Sequence, residues 1–232
     1  MAYLKKTVNT KNIIFNYKYY SARYGKRKHK GGRTAPTSEQ QKRINKRIQN
    51  QKRIWTICEH FNLQDYYITL TYRKCDRPAD MEEATAILSK TLARLSRALK
   101  RQGVKLSYMT VTEYGKLGTV HHHVLIKNRF PIGEYINDKL WGYGKLQYEK
   151  VYTSSILQLA KYFVKGDSES SEKKYTQSRD IITPKPKTEI IKAERWSITP
   201  KAPAGYDVVD IYDGTDERFG CPYLEYIMVK RE

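Results

Sequence analysis

Hydrophobic and polar positions follow two different periods along the chain, and each change of period marks a new element. Thr37 or Ser38, followed three residues later by Gln40 or Gln41, offers a capping-box start to a helix reaching Cys58 through Ile44, Ile48, Ile54 and Trp55. Residues 66–72 then alternate Ile68 and Leu70 with Thr69 and Thr71, the period of two expected of a strand. From 81 to 102 the period becomes helical. Ala84, Ile87, Leu88, Thr91, Leu92, Leu95, Ala98 and Leu99 share one stripe, Lys90, Arg94, Arg97 and Arg101 lie opposite, and Gly103 is placed to close the helix. Two strand-like runs, 106–113 and 120–127, flank a short connection containing Gly115 and Gly118 that suits a hairpin. A longer connection with Trp141, Gly142 and Gly144 leads to a helix over about 154–165.

Strand, helix, hairpin and helix make up most of a βαββαβ plan. The expected class is therefore α+β: a central antiparallel sheet of ferredoxin/RRM-like arrangement with helices packed on one face. Its closing strand is sought at 190–198 or 208–212. Pro184, Pro186, Pro200 and Pro203 make the region beyond the second helix read as a loop-rich extension, over 188–232.

Charge adds a partner to this picture. Lysine and arginine number 44 against 24 acidic residues, a net charge of +20, and such a surface seeks a polyanion, with nucleic acid the leading candidate. No acidic residue occurs before Glu39, so residues 1–36 read as a basic arm. Lys26, Arg27, Lys28, Lys30 and Arg33 would contact phosphates there, and Tyr17, Tyr19, Tyr20 and Tyr24 would offer stacking surfaces. No apolar run is long enough to span a bilayer and none near Met1 resembles a signal peptide, so a cytoplasmic protein with no membrane partner is expected. Cys58, Cys75 and Cys221 are odd in number and form no CxxC pair; they are expected to be ordinary buried or half-buried thiols.

The candidate chemistry lies in the hairpin and the second helix. Within His121–His122–His123, alternation sends His122 with Val120, Val124 and Ile126 to one face. It leaves His121 and His123 together on the other, where both imidazoles reach one ion. Glu113 ends the preceding strand and completes a two-His, one-carboxylate set suited to manganese or magnesium rather than structural zinc. Strict alternation also places Glu113 with apolar Met109 and Val111, which demands either a bulge or a face covered by another element, for which the second helix is the candidate. On the second helix, Ile156, Leu157, Leu159, Ala160, Phe163 and Val164 share one arc, and Gln158, Lys161, Tyr162 and Lys165 the opposite one. Taken alone, Tyr162 reads as a surface tyrosine among 20. Next to a metal site, with Lys165 at i+3 to offset its ordinary pKa of about 10, it becomes a candidate nucleophile.

Three blocks carry a family resemblance: FNLQDYYITLTY at 61–72, VTEYGKLGTVHHHVLI at 111–126 and LAKYFVKG at 159–166, supported by LWGYGKLQYEKV from Leu140 and YTQSRDIITPKP from Tyr175. Over residues 61–187 the chain resembles the HUH endonucleases, and among them the rolling-circle replication initiators (Rep) of small phages and plasmids. His122 stands where that family usually has a bulky hydrophobic residue. The resemblance implies an HUH nicking domain at 37–187, with metal ligands at Glu113, His121 and His123, a nucleophile at Tyr162 and an assisting Lys165. It implies a divalent ion, Mn2+ or Mg2+, and nicking and joining of single-stranded origin DNA, in hairpin form or not, in a bacterial host through a 5′-phosphotyrosine intermediate. With no GxxxxGK[ST] stretch, host helicase and polymerase would act as partners. Lys161, on the polar arc, would add a DNA contact. An HUH transposase, a relaxase and a non-catalytic RRM-like nucleic-acid-binding protein are the alternatives, and Tyr152 or Tyr143 the alternative nucleophiles.

Overall fold

The computed structural model describes residues 2–21, 24–25, 38–115, 118–129, 131–137, 139–151, 155–165, 173–192, 199–215 and 220–231. These form a mixed α+β protein with two antiparallel five-stranded sheets, in two compact units: residues 60–182, and residues 1–59 with 183–232.

The 60–182 unit contains the hairpin and both amphipathic helices expected around it. In chain order it has β3 (Tyr66–Thr71), α2 (Met81–Arg101), β4 (Tyr108–Tyr114), β5 (Val120–Ile126), the short α3 (Ile132–Tyr135), β6 (Leu146–Lys150), α4 (Ile156–Val164) and β7 (Lys173–Gln177), following two strands and a helix of the other unit. The sheet order is β6-β3-β5-β4-β7. Local chemistry fixes the helix ends. Asp80 accepts from the backbone N–H groups of Glu82 and Glu83 at 2.8 Å, and Gly103, at φ +70°, turns the chain out of α2. Ser155 caps α4 by accepting from Leu157 N–H.

Two corrections concern this sheet. The strand after α4 is β7, which pairs with β4, and the edge beside β3 is taken by β6, which precedes α4. Neither 190–198 nor 208–212 supplies it: 208–212 falls inside a strand of the other unit, and 193–198 lies outside the described residues. The helices also take opposite faces rather than one. Leu88, Leu92, Leu95 and Leu99 of α2 pack on Ile68, Leu70, Val124 and Ile126, whereas α4 lies on the face bearing Tyr67, Thr69 and His123.

In the other unit, residues 2–21 are not an arm. β1 (Ala2–Asn9) and β2 (Ile13–Ser21) pair as a hairpin within a sheet of order β8-β1-β2-β10-β9, completed by β8 (Lys187–Ile190), β9 (Tyr206–Thr215) and β10 (Pro222–Lys230). The basic composition hides an alternation of Leu4, Val8, Ile13, Phe15 and Tyr17, all buried. Lysine stems lie along apolar surface while the ammonium finds a partner: Lys6 Nζ sits 4.3 Å from the Tyr17 ring centroid and 5.1 Å from that of Trp55. Trp55, on α1 (Glu39–His60), donates to Tyr17 Oη at 3.0 Å, and Gln41 N–H reaches the capping Ser38 Oγ at 3.3 Å. The expected loop-rich extension thus contributes three strands. Of the thiols Cys58 is buried, Cys221 half-buried and Cys75 exposed. Among the described residues no helix is long and apolar enough to cross a membrane.

Candidate functional site

The register of three neighbouring strands assembles the site. Thr71 of β3 pairs with His121 of β5, and His121 with Glu113 of β4; one rung along, Thr69 pairs with His123 and His123 with Val111. Opposed residues of antiparallel strands point to the same face, so these two rungs bring Glu113, His121 and His123 together. The pairing of β4 with β5 runs continuously from Tyr108 to Tyr114. Glu113 therefore keeps the phase of Met109 and Val111, and of the two alternatives it is the covered face that holds. Met109, Val111 and Leu125 are buried on it. Above them lies α4, with the Tyr162 ring 6.5 Å from His123 and the Phe163 ring 6.3 Å from Tyr175 of β7.

Glu113 Oε1 lies 3.4 Å from His121 Nε2 and 3.3 Å from His123 Nε2, and the three ligand atoms fall within 4.8 Å of one another. The outer nitrogen of His123 is spoken for. Its Nδ1 meets Tyr67 Oη at 2.7 Å and Thr69 Oγ1 at 3.2 Å, and the Tyr67 ring stacks on the imidazole at 5.5 Å. These contacts direct Nε2 into the pocket, the arrangement that orients a histidine for metal binding. The donor set, two imidazole nitrogens and one carboxylate oxygen with an open side, fits a divalent ion that keeps room for water or phosphate oxygens. Burial works against the Glu113 carboxylate, but hydrogen bonds from His121, His123 and Lys173 outweigh it and hold its carboxyl well below the usual range.

His122 points the other way and is fully buried, with Nε2 at 2.7 Å from Tyr72 Oη and Nδ1 at 2.8 Å from Thr112 Oγ1. Burial, followed by the neighbouring His121 and His123, pushes its pKa down to about 3. A neutral imidazole between two hydroxyls satisfies both ring nitrogens, which is how a histidine substitutes for a bulky apolar residue here.

Tyr162 and Lys165 line the same pocket as the Glu–His–His group. Tyr162 is 61% exposed, so its hydroxyl is open to a ligand. Lys165 closes α4 through its backbone N–H, which donates to the carbonyls of Lys161 and Tyr162, and then leaves the helix in extended conformation. Lys161 is exposed on α4 and does not line the pocket. Lys26, Arg27, Lys28, Lys30, Arg33 and Tyr152 fall outside the described residues. Tyr143 packs against Trp141 and Tyr72 on the α2 side of the sheet, away from the pocket.

Two contributors escaped the sequence reading. Tyr67 had a signal, since β3 alternation sets Tyr67, Thr69 and Thr71 on a polar face opposite Ile68 and Leu70. Lys173 had none: it becomes Glu113's neighbour only through the β4–β7 register, which pairs the two residues. Its ammonium forms an ion pair with Glu113 Oε2, and its side chain is 9% exposed.

Compared with curated proteins and with solved structures, the chain finds no match. Residues 65–167, which span β3 to α4 and so carry the Glu–His–His group and Tyr162, match the model of a family of replication-associated proteins of the ORF2 type; this segment is similar to those proteins and is consistent with a rolling-circle replication initiator.

Proposed function

We propose that the chain is a metal-dependent nicking and joining endonuclease that initiates rolling-circle replication on single-stranded origin DNA. The observation that carries this reading is the convergence of two units of chemistry in one pocket: the Glu113–His121–His123 group on the sheet and Tyr162 on the helix that covers it. A non-catalytic sheet that binds nucleic acid has no use for a carboxylate and two imidazoles converging beneath an exposed tyrosine.

Glu113, His121 and His123 would hold Mn2+ or Mg2+, which when bound supplies positive charge to the non-bridging oxygens of a phosphodiester. The Tyr162 hydroxyl gives its proton to solvent and attacks phosphorus; a Tyr162–phosphate bond forms and the bond to the 3′ oxygen breaks. The product is a 5′-phosphotyrosine and a free 3′-hydroxyl able to prime synthesis. Lys165, on the same side of the pocket, places a cation beside the phosphate and donates the proton that the leaving 3′ oxygen takes up. Reversal by an incoming 3′-hydroxyl rejoins the strand. Host helicase and polymerase supply unwinding and extension, and the exposed Lys161, with the basic run at Lys26, Arg27, Lys28, Lys30 and Arg33, contributes phosphate contacts whose strength falls with salt.

The test is covalent capture. A pool of randomised single-stranded DNA incubated with the protein and Mn2+ should yield a species of raised mass on a denaturing gel, with the DNA mapping to Tyr162 by mass spectrometry. Chelator and Tyr162→Phe should each abolish it. An adduct that persists in Tyr162→Phe would move the nucleophile elsewhere, and retention of DNA with no adduct from the wild type would favour a binding module.

A further inference from the structure

Lys173 does more than neutralise a carboxylate. Its Nζ contacts two groups: Glu113 Oε2, and the backbone carbonyl of Lys165 at 2.8 Å. The Lys165 carbonyl stands at the end of α4, where the last carbonyls have no partner within the helix and where a cation is favoured by the helix dipole. One half-buried ammonium therefore joins the sheet residue that faces the two histidines to the end of the helix that carries Tyr162.

The two oxygens of Glu113 are consequently not equivalent. Oε1 faces His121 Nε2 and His123 Nε2, whereas Oε2 is engaged by Lys173. A free carboxylate takes hold of a divalent ion through one oxygen or both. With Oε2 held by a charge-assisted hydrogen bond, only Oε1 is offered. Lys173 also cancels the carboxylate's charge. The Glu–His–His–Lys group is neutral when the imidazoles are neutral, so a bound dication would keep its full charge for a phosphate instead of losing part of it to the protein.

We propose that Lys173 is a positioning residue: it restricts Glu113 to one metal-facing oxygen, keeps the site neutral, and locks the C-terminal end of the Tyr162 helix to that carboxylate. The proposal rests on the reading of Glu113, His121 and His123 as a divalent-ion site. It makes an unusual demand, because a residue that merely supports the fold should weaken metal binding when removed, whereas Lys173 should do the reverse. Without it the site gains a negative charge and a second carboxylate oxygen, and binds the ion more tightly. The end of the Tyr162 helix meanwhile loses its tie to the Glu113 carboxylate, and turnover falls.

Titration calorimetry of the full chain with MnCl2, without DNA, tests this directly. Lys173→Met should bind Mn2+ about tenfold more tightly than the wild type, by removal of the nearby like charge, while the adduct rate at saturating Mn2+ falls about tenfold or more. Lys173→Gln retains a donor for the Lys165 carbonyl but no charge. It should show the same gain in affinity with a smaller loss of rate, and it keeps the test decisive if Lys173→Met folds poorly by circular dichroism. Unchanged or weaker Mn2+ binding in Lys173→Gln, measured on folded protein, overturns the proposal while leaving the metal site intact. A wild type that binds no Mn2+ overturns the underlying reading, and this proposal with it.

Discussion

Removing the Glu113 carboxylate while Lys173 remains should destabilise the 60–182 unit in a way that a second substitution partly repairs. The side chains of Glu113 and Lys173 are 15% and 9% exposed, so the pair is largely screened from water and little discount for solvent applies. Glu113→Gln keeps shape and hydrogen-bonding capacity but leaves the Lys173 ammonium buried without a counter-charge, a change worth about 3 kcal/mol. In a unit of this size that lowers the melting temperature by about 10 °C. Lys173→Met alone strands the carboxylate, though His121 and His123 still donate to it, and should cost about 2 kcal/mol. The double variant buries neither charge, so its loss should fall short of the sum of the single losses by about 2 kcal/mol, a coupling within reach of a double-mutant cycle. Calorimetric unfolding of the four proteins in chelator, which removes any metal contribution, reads this out. The pH dependence has a defined sign. The folded Glu113 carboxyl titrates below its ordinary 4.5, so its contribution is fully present above that value and disappears as pH falls through the folded one. Glu113→Gln should lack this acid limb. Additive losses in the cycle, or an acid limb below pH 4.5 that is unchanged in Glu113→Gln, would show that the ion pair does not anchor β4 to β7.

Two further outcomes follow from neighbouring residues. A Cβ at Gly115 would lie 3.1 Å from both Cε1 and Nδ1 of His121, so Gly115→Ala should tilt that imidazole; titration calorimetry should show Mn2+ affinity lowered about tenfold with little change in melting temperature, and an unchanged affinity would mean that the ring adjusts without consequence. The unfolded-state imidazole of His122 takes up a proton below pH 6.5 while the folded one resists until about pH 3, so stability should fall with pH in that window, by about 1.4 kcal/mol per pH unit. His122→Phe should remove that slope between pH 4.5 and 6.5, above the range where Glu113 acts, and identical slopes there in the two proteins would refute the assignment.

By itself the sequence determined whatever depends on residues near one another in the chain. Alternation within 120–126 separates His121 and His123 from His122, and the same arithmetic on 154–165 sets Tyr162 apart from Phe163 and Val164, because side-chain direction in a strand or helix is fixed by its period. The cap at Ser38 and the stop at Gly103 are equally local. Tertiary structure decided which strand lies beside which and what covers each face. Glu113 could be phased, and the second helix named as a cover for its face, but the choice between a bulge and a covered face was made by the unbroken β4–β5 register. Lys173, 60 positions further along, became its partner only through the β4–β7 register. Residues 2–21 read as part of a basic, phosphate-binding arm because their charge was legible while their partners were not: Leu4, Val8 and Phe15 are core only once β1, β2 and β10 pair and Trp55 packs against them. A period states which residues share a face, but the pairing that buries that face is made by chain far away, and no local pattern records it.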